Sequence, residues 1–447
     1  MINLVKDLTV GEPRKILVRF TLPLFISVIF QQFYNIADSI IIGNFAAHGE
    51  SALAAVGASY PITMIFMAIA LGSNVGCSVV ISQLFGAKRY RQMKTAISTT
   101  MITSLALSGL LTVLGLAFSR WMLEAISTPY EIMADSAVYL RVYIGGFVFI
   151  FLYNVCNGVF TALGDSKTPL YFLIGSSMGN IVLDWVFVAV MHWDVAGVAW
   201  ATFICQTLAA LLALFTMKKR LKIDEFEGHY LKFSPNMLKK IALIAIPSIL
   251  QQSFVSVGNL CIQNLINSFG TSAVAGYSAA IKINTFCITS FGTIGNAMST
   301  YTAQNIGAGN IDRVKKGHKE DIKIGFALSM LFFAVCFMGA EMLIRLFLKD
   351  GSPEALATGM SFLRIASPFY MVVVFKMITD GLLRGAGAIK SFTTATFSDL
   401  IIRVVLSYIL SAYYGITGIW MSWPVGWAIG TAISLAFYAK GVWKPKK

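Results

Sequence analysis

Charge is what this sequence has least of. Only 13% of its 447 residues are Asp, Glu, Lys or Arg, about half of the roughly 25% that a water-soluble domain carries. A water-facing surface of this extent cannot be built from so few, which excludes a soluble globular protein. Catalytic punctuation is missing as well. The four histidines, His48, His192, His229 and His318, fall in or beside polar stretches, and no HExxH pair stands ready to hold zinc. No GxxxxGK[ST] loop is present to cradle a nucleotide. The six cysteines (Cys77, Cys156, Cys205, Cys261, Cys287, Cys336) lie inside apolar runs, and none forms a CxxC. They read as small buried hydrophobes rather than as a redox or metal centre. A membrane-embedded hydrolase or acyl transferase needs a nucleophile–base set that this chain does not offer, and no cofactor is implied.

Apolar sequence is abundant: 57% of the residues are hydrophobic. A helix needs about 20 mostly apolar residues to cross a hydrocarbon core about 30 Å thick. Runs of that kind fall at 16–42, 52–85, 93–118, 132–160, 168–191 and 195–216, then at 238–267, 272–306, 320–347, 355–385, 391–413 and 417–440. The pattern predicts an all-α integral membrane protein with twelve transmembrane helices. The formal net charge of +14 does not point to nucleic acid. Its basic residues sit in short loops on alternate sides, such as Lys88–Lys94, Lys218–Lys222 and Arg313–Lys319, with the tail Lys444–Lys447. That alternation orients a chain in a bilayer and puts both termini in the cytoplasm. The first twenty residues lack the apolar stretch and cleavage site of a signal peptide, so the first span is expected to stay as an anchor.

The two halves repeat one another. QLFGA at Gln83 recurs as QNIGA at Gln304, and LRV at Leu140 as LRI at Leu363. Gly158, Gly164 and Lys167 recur with the same spacing as Gly381, Gly387 and Lys390, and GVAW at Gly197 as GIWM at Gly418. Pro23 and Pro247 open the first helix of each half. The most polar internal stretch, Lys218–Asn236, divides them. The expected organisation is an N-terminal lobe over 1–220, a cytoplasmic linker over 221–236 and a C-terminal lobe over 237–447. Two parallel six-helix repeats around a central cleft are the architecture of carriers that rock one lobe against the other.

Several segments taken in order resemble the multidrug and toxic compound extrusion (MATE) family, and within it the DinF-like branch. They are IADSIIIGN with Asp38, LAAVGASYP, QLFGAKRY, ALGDSKTP (Ala162 to Pro169) and NIVLDWVF with Asn180 and Asp184. The resemblance spans nearly the whole chain. It implies a secondary exporter in the cell membrane, an antiporter that drives out small organic molecules, cationic or amphipathic, as protons or sodium ions enter. It also implies cation coupling in the N-terminal lobe, at Asp38, Asn180, Asp184 and Thr202. The competing reading is a flippase for lipid-linked or amphipathic anionic substrates, whose relatives share the two-lobed architecture. Small molecules and the bilayer are the expected partners; neither nucleic acid nor an obligatory protein partner is evident.

An ionisable side chain at a helix centre costs about 2.5–3.5 kcal/mol on insertion scales, so each one inside an apolar run needs a reason. Glu341 with Arg345, Asp380 with Arg384 and Asp399 with Arg403 are spaced for pairing one turn apart. Asp38 and Asp184 have no basic residue within a turn, and a carboxylate among neutral groups suits a carrier of protons. Asn180, one turn before Asp184, and Asn154, Asn157 and Thr202 add uncharged oxygens, so the same set suits sodium instead. Interhelical hydrogen bonding explains these neutral residues equally well. Tyr34 and Gln31 share the face of Asp38. Lys376 has Asp380 one turn on, whereas Lys282 has no local partner. Asp399 is one candidate for it and an anionic substrate another. Met64, Tyr153, Phe286 and Met298 supply adaptable apolar contacts for substrate, although core packing accounts for such residues too. Pro23 is the expected hinge.

Overall fold

The computed structural model describes residues 6–46, 49–221, 229–348 and 351–445. His48, Lys222, most of the expected linker and the last two lysines therefore lie outside the described residues. Fifteen α-helices follow in order: α1 (Pro13–Phe45), α2 (Gly49–Gly86), α3 (Tyr90–Ala125), α4 (Tyr130–Gly145), α5 (Phe147–Ala162), α6 (Lys167–Asp184) and α7 (Asp194–Arg220). The second half holds α8 (Pro235–Asn267), α9 (Thr271–Gly307), α10 (Ile311–Met338), α11 (Ala340–Arg345), α12 (Pro353–Ala366), α13 (Tyr370–Gly385), α14 (Ile389–Tyr414) and α15 (Ile416–Ala439). Among the described residues, nine helical segments are long and apolar enough to cross a membrane, and the bent pair α4–α5 makes a tenth. With α9 and α15 they account for all twelve apolar runs.

Two runs that read as single helices are broken, and at corresponding places. The fourth bends by 47° between α4 and α5, where Gly145 and Gly146 adjoin. The tenth passes through a short 3-10 turn, Ser367–Phe369, that holds Pro368. Glycine pairs and proline are the usual causes of such breaks. The repeat also shows in the backbone. Gly164 and Gly387, matched in the sequence, both have φ +77°, a conformation that residues with a Cβ rarely adopt.

The chain forms two compact units. The first comprises residues 1–6 and 26–252, the second 7–25 and 253–447. Helix α1 thus changes unit between Phe25 and Ile26, and α8 between Gln252 and Ser253, each within a few residues of its proline. Division by repeat, at the linker, and division by compactness differ in these exchanged helix starts.

Burial in the first unit is inverted relative to a soluble protein. Helix α3 hides Thr95, Thr99, Thr100, Ser104, Ser108 and Ser119 while Leu105, Leu110, Val113 and Trp121 stand exposed. Inward hydroxyls meet helix carbonyls, as when Ser136 Oγ donates to Ala55 O at 3.2 Å. Small polar residues inside and apolar ones outside are what helices need when the solvent is lipid. The motif ALGDSKTP has a structural part to play here. Asp165 accepts from the backbone N–H groups of Lys167 (3.0 Å) and Thr168 (3.1 Å) at the start of α6. Its other oxygen is paired with Arg220, the last residue of α7. The guanidinium also donates to Thr168 Oγ1 at 2.6 Å and lies 4.9 Å from the Phe160 ring centroid.

The second unit is centred on aromatics. Trp420 is fully enclosed, stacked on Tyr277 at 5.4 Å and edge-on to Phe362 at 5.0 Å. Met298, Phe291 and Tyr370 belong to the same core.

Candidate ion-coupling site

In the first unit, four helices bring polar groups to one spot. Asp184 ends α6 and has no exposed surface. The chain then winds as a π-helix over Trp185–Val190. Such wider turns are rare and gather at functional sites. One turn before Asp184, Asn180 is almost wholly buried. With its amide oriented to suit its neighbours, it donates to Asp184 Oδ2 at 3.0 Å and to Tyr34 Oη at 3.3 Å. Its carbonyl accepts from the backbone N–H of Thr202 on α7 at 3.1 Å. The Tyr34 and Thr202 side chains lie close together as well.

Asp38, one turn after Tyr34 on α1, completes the group, because it lies beside Asp184. Two carboxylates in contact repel strongly when both are charged, so such a pair is held together by a shared proton or a cation. Among the described residues, no Lys, Arg or His forms an ion pair with either acid. Oδ1 of each is buried and has no hydrogen-bond partner. An acceptor in that state is costly unless something fills the gap.

Asp38, Asp184, Asn180, Thr202 and Tyr34, singled out in the sequence, therefore meet in one cluster. Gln31 on the same helix is exposed. Asn154 donates to the Ile150 carbonyl of its own helix at 2.8 Å. Asn157 bonds with Tyr153 one turn earlier, and its own Oδ1 is buried without a partner. Sequence reasoning passed over Tyr139 on α4, which lies close to both acids and stacks on Tyr143 with ring centroids 6.4 Å apart. Tyrosine carries no penalty in an apolar helix and so raises no flag there. The i,i+4 repetition of tyrosine on α4 is the available signal.

The second unit corrects several expected pairings. Glu341 and Arg345 do pair, at 2.9 Å. Asp380 pairs with Lys376 (2.8 Å) rather than Arg384, which turns to Asn296 Oδ1 on α9 at 2.6 Å. Asp399 pairs with the same lysine at 3.5 Å, not with Arg403 or Lys282. The ammonium gains from lying between two acids, while the Arg403 guanidinium stacks 4.5 Å from the Trp423 ring centroid. Lys282 is exposed and sits 5.5 Å from the Phe347 ring centroid. His318, placed beside a loop in the sequence, is buried within α10. It lies 3.1 Å from Thr379 Oγ1 and stacks on Tyr438. Asp321, one turn on, is fully buried with neither oxygen paired. The surrounding KGHKEDIK disguised it as a solvated segment.

Of the remaining residues expected to touch substrate, Met64 and Phe286 are half-buried. Phe286 packs on Phe332 at 5.7 Å. Tyr153 is buried, and Met298 is wholly enclosed in the second unit's core.

An all-helical chain with two six-helix repeats, lipid-type burial and acids buried without a cationic partner defines a multi-pass membrane carrier. A sequence model of the MatE family matches residues 23–186 and 247–409, once in each repeat. The chain belongs to that family, the multidrug and toxic compound extrusion transporters, and so is a transporter and not an enzyme, with twelve transmembrane helices in two lobes. It is 28% identical over 442 residues to the probable multidrug resistance protein YpnP of Bacillus subtilis (strain 168), covering 99% of this chain and 98% of the relative. The probable multidrug resistance protein YoeA of the same strain is 26% identical over 438 residues, 96% of this chain and 94% of the relative. Among solved structures, an outward-facing multidrug resistance MATE family transporter of the MOP superfamily shares 26% identity with a TM-score of 0.90, covering 99% of this chain and 98% of the other.

Proposed function

We propose that this transporter exports small organic molecules, cationic or amphipathic, across the cell membrane, in exchange for a proton or sodium ion taken up between Asp38 and Asp184. The juxtaposition of Asp38 with the buried Asp184, both without an ion-pair partner among the described residues, carries this reading. The multidrug resistance names borne by its relatives in Bacillus subtilis support the choice of cargo. Coupling through the N-terminal lobe is the DinF-like mode. Both termini face the cytoplasm, as the basic loops require. Filling the pair with a cation relieves the repulsion between its carboxylates and lets α1 repack about Pro23, which alternates the access of the substrate site. The driving force is adequate. A proton entering down about 100 mV gains about 2.3 kcal/mol, and one pH unit adds about 1.4 kcal/mol. Together these sustain a gradient of roughly 500-fold for a neutral solute.

The test is efflux of a fluorescent organic cation from proteoliposomes under an imposed pH or sodium gradient. Wild type is expected to respond to one gradient, and Asp38→Asn and Asp184→Asn to lose that response. Variants that remain coupled would place the coupling site elsewhere. A wild type that moves no cationic probe under either gradient would remove the cargo assignment.

A further inference from the structure

The second unit holds a cluster that the proposed mechanism leaves unused. Lys376 on α13 reaches Asp380 Oδ2 at 2.8 Å and Asp399 Oδ2, on α14, at 3.5 Å. Ser434 on α15 donates to the other oxygen of Asp380 at 2.5 Å. Arg403, one turn after Asp399, brings the second positive charge. All four charged residues are buried, each less than a tenth exposed. Space for the lysine stem is made by Gly430 on α15, where an added Cβ would come within 2.5 Å of Lys376 Cε and 2.9 Å of Asp399 Cβ. The arrangement is built rather than incidental, with one ammonium shared between two acids.

The repeat gives the cluster a counterpart. In the register that matches Gly158 and Lys167 with Gly381 and Lys390, Lys376 stands for Tyr153 and Asp380 for Asn157. Asp399 stands for Ser176, and Arg403 for Asn180, the residue that holds Asp184. Each charged member of this cluster thus replaces a neutral residue of the first unit. In turn, Asp184 answers to Ser407. Both units gather two carboxylates, on the first and fifth helices of the first repeat and on the fourth and fifth of the second. Only the second supplies its own cations.

We propose that Lys376 is a resident counter-cation, whose tethered ammonium fills the place between Asp380 and Asp399 that a mobile cation would otherwise take. The cluster then binds no exchangeable proton or sodium ion, and Lys376 decides which lobe is ion-coupled. An anionic substrate finds little purchase on it, since its charge is already shared between two acids. The inference rests on reading Asp38 and Asp184 as the exchangeable site. Removing the ammonium takes away the one ion-pair partner that Asp380 and Asp399 share among the described residues, and a proton or sodium ion must then offset the buried negative charge.

The experiment counts bound cations on the purified full-length protein in detergent, as radioactive sodium retained plus protons taken up on acidification. Compared are wild type, the double variant Asp38→Asn/Asp184→Asn, and that double variant carrying Lys376→Met or Lys376→Arg. Groups common to both members of a comparison, including His318, Asp321 and Arg384, cancel. Lys376→Met is expected to gain about one cation per molecule over the double variant, and Lys376→Arg to gain none. A folded Lys376→Met protein that gains nothing overturns the proposal. Should that variant fail to fold, adding Asp380→Asn/Asp399→Asn to the double variant decides the matter. A cation lost at that step means the native cluster was exchangeable and the proposal is wrong; no change upholds it. If instead wild type and the double variant bind cations equally, the coupling assignment of the first unit fails, while the Lys376 comparison still reads on its own.

Discussion

At the scale of single residues, the first unit handles buried charge in two different ways. Asp165 and Arg220 form an internal pair whose remaining oxygens and protons are largely taken up by α6 and Thr168. Removing one partner of such a pair leaves a bare charge, which typically costs about 3–5 kcal/mol. Arg220→Ala is therefore expected to lower thermal stability in detergent sharply, whereas a variant that melts with wild type would deny the pair any structural weight. Asp38 and Asp184 lack a partner of opposite charge, and their surroundings are tuned by hydroxyls instead. Tyr34 accepts from Asn180, which in turn holds Asp184. A hydrogen bond of this kind is worth about 1 kcal/mol net, so Tyr34→Phe should shift the apparent cation affinity of efflux by roughly fivefold. Transport that responds to the gradient with unchanged affinity would show that Tyr34 does not act on the acids.

At the scale of elements, Pro23 denies α1 a backbone hydrogen bond to the carbonyl one turn earlier without breaking the helix. If bending there accompanies alternation, Pro23→Ala should bind cation as wild type does yet export more slowly, by about tenfold for each 1.4 kcal/mol added to the barrier. Equal export rates would relieve Pro23 of that part. The helices were legible in the sequence because each apolar run has loop chemistry at both ends and a partner in the other half. Their internal irregularities were not. The break at Gly146 rests on a glycine pair that straight membrane helices also carry, and the π turn after Asp184 has no marker in WVFVAV. Much the same holds for the candidate site. Asp38, Asp184 and Asn180 were visible because charge is costly in lipid. Asp380 was visible as a partner for Lys376 one turn away, but Asp399 was not, because i,i+4 spacing offered Asp399 an arginine on its own helix and only packing decides between them.

At the scale of the whole molecule, the alternation of basic and neutral ends makes a prediction about sidedness. Tyr130 and Tyr413 are 88% and 79% exposed and lie at the ends poor in charge. Arg91 and Lys315 are exposed at the basic ends. Single cysteines at Tyr130 or Tyr413, with the half-buried Cys261 replaced by Ser, should react with an impermeant maleimide added to intact cells. Cysteines at Arg91 or Lys315 should react only after lysis, and the reverse pattern would invert the assigned topology. One local detail bears on how such a molecule came about. Thirty residues separate Lys167 from Gly197, but twenty-eight separate Lys390 from Gly418. Three residues, 191–193, join the π turn to α7, where Gly415 alone joins α14 to α15, so the extra length lies in the connection and not in the helix. The π turn at Trp185–Val190, which follows directly on Asp184, changes rotation instead. It swings every side chain beyond it around the helix axis relative to its counterpart beyond Ser407. The duplicated halves have thus come to present different faces at the spot where they differ in chemistry.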